Sequence, residues 1–102
     1  MRNMNALTLP QLAVPTAEEA IAVVNRWLHR EVGMALHVST AHFDHTTFCW
    51  HLPIELAYAA RGTLGVVGDA YLHAATGTFA GRPEATDLLN RAEALAAACG
   101  ID

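Results

Sequence analysis

The sequence predicts a single α+β domain, ordered helix, three or four antiparallel strands, helix, with both helices on one face of a meander sheet. Three observations predict it. Apolar residues recur with a helical period between residues 15 and 33 and again between 83 and 100, and they alternate every second residue in the intervening segments. The connections between those segments are too short for parallel crossovers. With 102 residues, 53% of them apolar, the chain suits one domain and one core.

Residues 1–14 show no clear period and contain Pro10, which suggests an extended arm ahead of a domain spanning 15–102. In "PTAEEAIAVVNRWLHREVG", Thr16 is placed as N-cap with Glu19 three residues on, and Gly33 supplies the stop. Ala17, Ala20, Ile21, Val24, Leu28 and Val32 form one stripe, with Val23 and Trp27 beside it.

"MALHVSTAHF" then alternates Met34, Leu36, Val38 and Thr40 against Ala35, His37, Ser39 and Ala41, the pattern of a first half-buried strand. "TFCWHLPIELAY" alternates more strongly. Phe48, Trp50, Leu52, Ile54, Leu56 and Tyr58 face inward, with Phe48 and Trp50 centred against the first helix, and Thr47, Cys49, His51, Pro53 and Glu55 face outward. Pro53 has no N–H to give a ladder, so the strand has a free edge or a bulge there.

"ARGTLG" reads as a turn or loop and "VVGDAYLHAA" as a third strand, with Ala70, Leu72 and Ala74 inward. A turn through Gly77 leads to a short last strand in "TFAG". The closing helix is "PEATDLLNRAEALAAACG", with Pro83 at its first position, Gly100 as terminator, and a stripe of Leu88, Leu89, Ala92, Leu95, Ala96 and Cys99.

These strands give the sheet a second, polar face. It collects His37 and Ser39 from the first strand, Cys49, His51 and Glu55 from the second, and Asp69, Tyr71 and His73 from the third. The collection requires an odd loop between the first two strands, for example Asp44, His45 and Thr46; a two-residue loop would turn His37 and Ser39 to the side of Trp50. His45 belongs to the turn. His29 and His42 read as surface or edge residues.

Histidine and cysteine are zinc ligands and nucleophile partners, so His37, Cys49, His51 and His73 are the candidates for a metal or a thiol centre. Closely spaced pairs such as CxxC or HxxxH do not occur, and no residue is marked as an oxyanion donor; solvated histidines on a sheet face are the plainer reading. Gly62, Gly65 and Gly68 lead into a strand rather than a helix, so they serve a turn and a bulge and do not form a phosphate loop.

All six basic residues are arginines, scattered along the chain, against ten acidic residues. This disfavours electrostatic binding to nucleic acid or an anionic membrane, and it resembles a GC-rich bacterial coding bias. Charged residues are only 16% of the chain and mean hydropathy is +0.24, so some apolar surface is expected in an interface. The N-terminal residues do not read as a signal peptide, no apolar run is long enough to span a bilayer, and Cys49 and Cys99 do not form a disulfide framework; a cytoplasmic setting is expected.

The run from "FCWHLPIEL" through "GVVGDAYLHAATGTF" resembles small bacterial domains of the PepSY type and some immunity proteins of polymorphic-toxin systems. Trp50, Gly68, Thr76 and Gly77 match that pattern, over about a third of the chain, and His73 stands where the pattern has an aspartate. The resemblance implies a non-enzymatic domain that binds or inhibits another protein. The expected function is thus a small interaction module, an immunity or regulatory protein working through its sheet face or edge, without a cofactor. Two other classes stay open: a ligand- or metal-binding protein or enzyme using the His/Cys/Asp patch, and a homodimer whose function lies in the assembly.

Overall fold

A computed structural model describes residues 12–101. Its elements run α1 (Ala17–Glu31), β1 (Leu36–His37), β2 (His42–Asp44), β3 (Cys49–Tyr58), β4 (Gly62–His73), β5 (Phe79–Gly81) and α2 (Ala85–Ala98). All strand pairings are antiparallel, in the order β1-β3-β4-β5, with β2 pairing the other half of the same β3 edge as β1. The α+β reading, with its meander between two helices, therefore holds. Both helices pack on one face, where Val24 and Leu28 of α1 and Leu88 of α2 join Leu36, Leu52, Ile54, Leu56, Ala70 and Leu72 in one buried cluster.

The helix ends follow from their sequences. Thr16 Oγ1 accepts a hydrogen bond from the Glu19 N–H and donates to the Glu19 carboxylate, both at 3.2 Å, which closes the first turn of α1. At its other end the N–H groups of Val32 and Gly33 both return to the Leu28 carbonyl. Helix α2 closes with Gly100 at φ +80°, the Gly100 N–H on Ala97 and the Ile101 N–H on Ala96, the paired bonds of a Schellman ending. Pro83 lies before the N-cap, Glu84, and not at the first helical position. In the stripe of α2, Leu89 is exposed and Cys99 only half-buried, because the helix turns Leu88, Ala92 and Ala96 to the sheet.

The first strand departs most from expectation. Between Leu36–His37 and His42–Asp44 the chain leaves the ladder, and Met34 and Thr40 are exposed instead of inward. His37 faces Glu55 and His42 faces His51, so five residue steps on this side match four on β3. One extra residue has been inserted. The side chain of Asn25 fills the gap in bonding, donating to the Val38 carbonyl at 3.0 Å and accepting from the Val38 N–H at 2.8 Å. Pro53 lies opposite this interruption. Ala57 donates toward β1, to Ala35, and alternation turns the nitrogen of Pro53 to that same side, where no N–H is called for.

The β2–β3 turn holds four residues, 45–48, with His45 inside it as expected; the odd loop is not used, and the inserted residue restores the parity instead. Phe48 ends this turn at φ +57° and is 44% exposed, so it is not a core residue. Trp50 is half-buried. It donates from Nε1 to the Val14 carbonyl at 2.9 Å and packs edge-on against Phe43, while Trp27 is the aromatic that α1 buries.

"ARGTLG" is strand from Gly62 onward, not loop. Its ladder with β3 slips at Ile54/Glu55 and Leu56/Ala57, leaving Val67 and Leu64 as extra residues. Gly68 is required by packing: a Cβ there would stand 2.9 Å from Leu88 Cδ2 and 3.1 Å from Pro83 Cγ. Of the expected arm, residues 1–11 lie outside the described residues. Ala13 and Val14 donate to the carbonyls of Ala75 and Ala74, and Val14 is buried.

Candidate functional site

The sheet face opposite the helices is polar and uncovered among the described residues, and strand alternation places seven of the eight expected residues on it; Ser39, in the interruption between β1 and β2, joins them through its bond to Glu55. They meet as cross-strand pairs. His37 Nε2 lies 3.4 Å from Glu55 Oε1, and Ser39 Oγ donates to the same oxygen at 3.0 Å. His51 Nε2 lies 2.8 Å from Asp69 Oδ1, while its ring stacks on Tyr71 with centroids 4.9 Å apart and planes 11° from parallel. Cys49 Sγ lies 3.5 Å from His73 Nδ1 and 3.4 Å from the Thr47 carbonyl that accepts from it.

The register explains the pairing. Cys49, His51 and Pro53 face His73, Tyr71 and Asp69 across the β3–β4 ladder, so each histidine has a polar or aromatic neighbour directly opposite or one pair away. Exposure is uneven along the face: Tyr71 and Val66 stand out at 42% and 57%, whereas Cys49 is buried.

Two residues join this face that the sequence pattern did not put there. His42 pairs with His51 and Asp44 with Cys49, which turns both to the uncovered side. The signal was the inserted residue in 38–41. Phe43 could have marked it, since a large apolar side chain next to the turn belongs on the side of Trp50, and that choice sends His42 and Asp44 outward. The Thr46 N–H, 2.8 Å from Asp44 Oδ1, holds the Asp44 carboxyl below the usual carboxylate range; desolvation is the next influence and opposes it, while bonds from Thr47 and the charge of His45 add to the lowering.

Chemically, these are separate units. A histidine bonded to a carboxylate can hold or pass a proton, and a thiol beside an imidazole can be activated, but His51 points to Asp69 while Cys49 points to His73. The metal candidates His37, Cys49, His51 and His73 are distributed among three different pairs. Among the described residues no three His, Cys, Asp or Glu side chains come together as a metal site.

Two clefts lie elsewhere. One, of about 480 Å³, opens between the end of α1 and helix α2, lined by Met34, Tyr58 and Leu89 among others. The second, of about 410 Å³, lies among Leu12, Pro15, Phe43, His45, Phe48 and Trp50. Neither is lined by a residue of the eight. No helix among the described residues is long and apolar enough to cross a membrane. No family model, curated protein or solved structure matches the chain.

Proposed function

We propose that the protein is a small interaction module that binds another protein through the uncovered face of its sheet, as an inhibitor, regulator or immunity protein does. One observation carries this reading. The face opposite the helices presents ordered cross-strand pairs around an exposed tyrosine, His51 stacked on Tyr71 and bonded to Asp69, with no element among the described residues packed over them. Tyrosine held rigid by a neighbour gives contact area at small entropic cost, a common property of protein-binding surfaces.

The resemblance to PepSY-type and toxin-immunity domains supports the same class. The two cysteines are unpaired, which suits a cytoplasmic site of action. Affinity capture from source cells tests the proposal, using the native chain beside Tyr71→Arg on the face and Leu89→Arg on the helix side. A partner recovered in near-equal amount, lost with Tyr71→Arg and kept with Leu89→Arg, is expected. Recovery of no stoichiometric partner, or loss with Leu89→Arg alone, overturns it.

A further inference from the structure

Resting on that reading, we infer that the partner's contact surface is basic, rich in arginine or lysine, and that acidification releases it. The permanent charges of the described residues are segregated by face. Asp44, Glu55 and Asp69 lie on the uncovered side. No described arginine does: Arg26 and Arg30 are on α1, Arg61 reaches the Cys99 carbonyl beyond α2, Arg82 stacks over Trp27 and Phe79, and Arg91 reaches from α2 to the Val67 carbonyl.

On the helix side, arginines and carboxylates are interspersed; on the sheet side the permanent charge has one sign. A second copy of the chain is therefore a poor occupant, since stacking two such faces at neutral pH opposes carboxylate to carboxylate. A cationic surface meets no such cost.

The remaining titratable groups on the face are His37 of β1, His42 of β2, His51 of β3 and His73 of β4, with the phenol of Tyr71 and the thiol of Cys49. From β5 the face receives Gly81, which carries no charge. Histidines take up protons as pH falls between roughly 8 and 5. Four histidines thus lie beside three carboxylates on one face, so each proton taken up there offsets the charge that holds a cationic surface.

The test uses the full chain labelled with nitrogen-15 and a hexa-arginine peptide, which stays charged throughout, followed by amide shifts at low salt. At pH 7.5 the shifts are expected on β1, β3 and β4; affinity is expected to fall at least tenfold at pH 5.5. A similar fall is expected at pH 7.5 in the combined Glu55→Gln and Asp69→Asn variant, whose melting confirms that it folds. Shifts centred on α1 or α2, or equal affinity in the variant or at both pH values, overturn the inference. A captured partner that meets this face with an acidic or uncharged surface overturns it too, while leaving the interaction reading intact. Absence of any captured partner defeats that reading itself, whatever the peptide does.

Discussion

The two faces of β3 carry opposite assignments within ten consecutive residues. Leu52, Ile54 and Leu56 are at most 1% exposed and lie beneath the helices, whereas His51, Pro53 and Glu55, between and beside them, look out from the sheet. The first set is held by apolar packing, which is lost in proportion to the volume removed. The second is held by short polar pairs at half-exposed positions, where water competes for every bond. Sensitivity to substitution should therefore divide by face and not by strand or by closeness in sequence.

The largest effect is expected from Leu52→Ala. Removing a fully buried leucine at the centre of the sheet costs about 2–5 kcal/mol, the lost transfer energy plus the cavity left behind. Denaturant titration measures it. A loss under about 1 kcal/mol would break the comparison, because the covered face would then not be the rigid one. Gly68→Ala comes next, by the opposite route. Its new Cβ would stand 2.9 Å from Leu88 Cδ2 and 3.1 Å from Pro83 Cγ, and overpacking of this kind costs about 1–3 kcal/mol. Pairing it with Leu88→Val should recover part of that loss if the α2 contact is the cause.

How far the sequence could take this comparison depends on which residues are asked. Leu52, Ile54, Leu56, Ala70 and Leu72 were legible as core because β3 and the later half of β4 keep a strict period of two, and the start of α1 and the end of α2 were legible because Thr16 and Gly100 act locally. Phe48 was misjudged because the alternation of β3 was extended one residue into a turn, where φ is +57° and periodicity has no meaning. "ARGTLG" looked like a loop because Gly62 takes a positive φ at the strand's start, and Gly65 answers to a neighbouring bulge and to the approach of Leu95, which is distant in sequence. The outward side of His37 survives a register different from the expected one, because the even turn and the inserted residue of 38–41 cancel there. They do not cancel for His42 and Asp44, which lie beyond the insertion.

On the uncovered face, His51→Ala should change stability by no more than about 0.5 kcal/mol, since a half-exposed hydrogen bond to Asp69 and one ring stack are nearly replaced by water. Thermal melting checks it at neutral pH. A cost above 2 kcal/mol would mean that the face also holds the fold, and the division between the two faces would fail. The same variant should weaken partner capture while leaving the protein folded, which is the separation of stability from recognition that the comparison requires.

The smallest effect is expected at Asp44, where the uncovered face ends in the β2–β3 turn. Its carboxylate accepts the Thr46 N–H, and that bond, with help from Thr47, holds its pKa below the usual range in the folded chain. A carboxyl more acidic in the folded than in the unfolded state stabilises the fold above the ordinary carboxylate value of about 3.9, and the contribution disappears as pH falls through the lower folded value. Asp44→Asn keeps an oxygen for the Thr46 N–H but cannot titrate, so its stability should fall less steeply than that of the native chain between pH 4.5 and about 2. Full exposure of Asp44 keeps the difference small, and urea titrations at closely spaced pH values are needed to resolve it. Superimposable curves for the two proteins would remove Asp44 from the account of the turn. A difference of the opposite sign would mean that the carboxylate strains the turn, and the left-handed Phe48 at its end would then need another support.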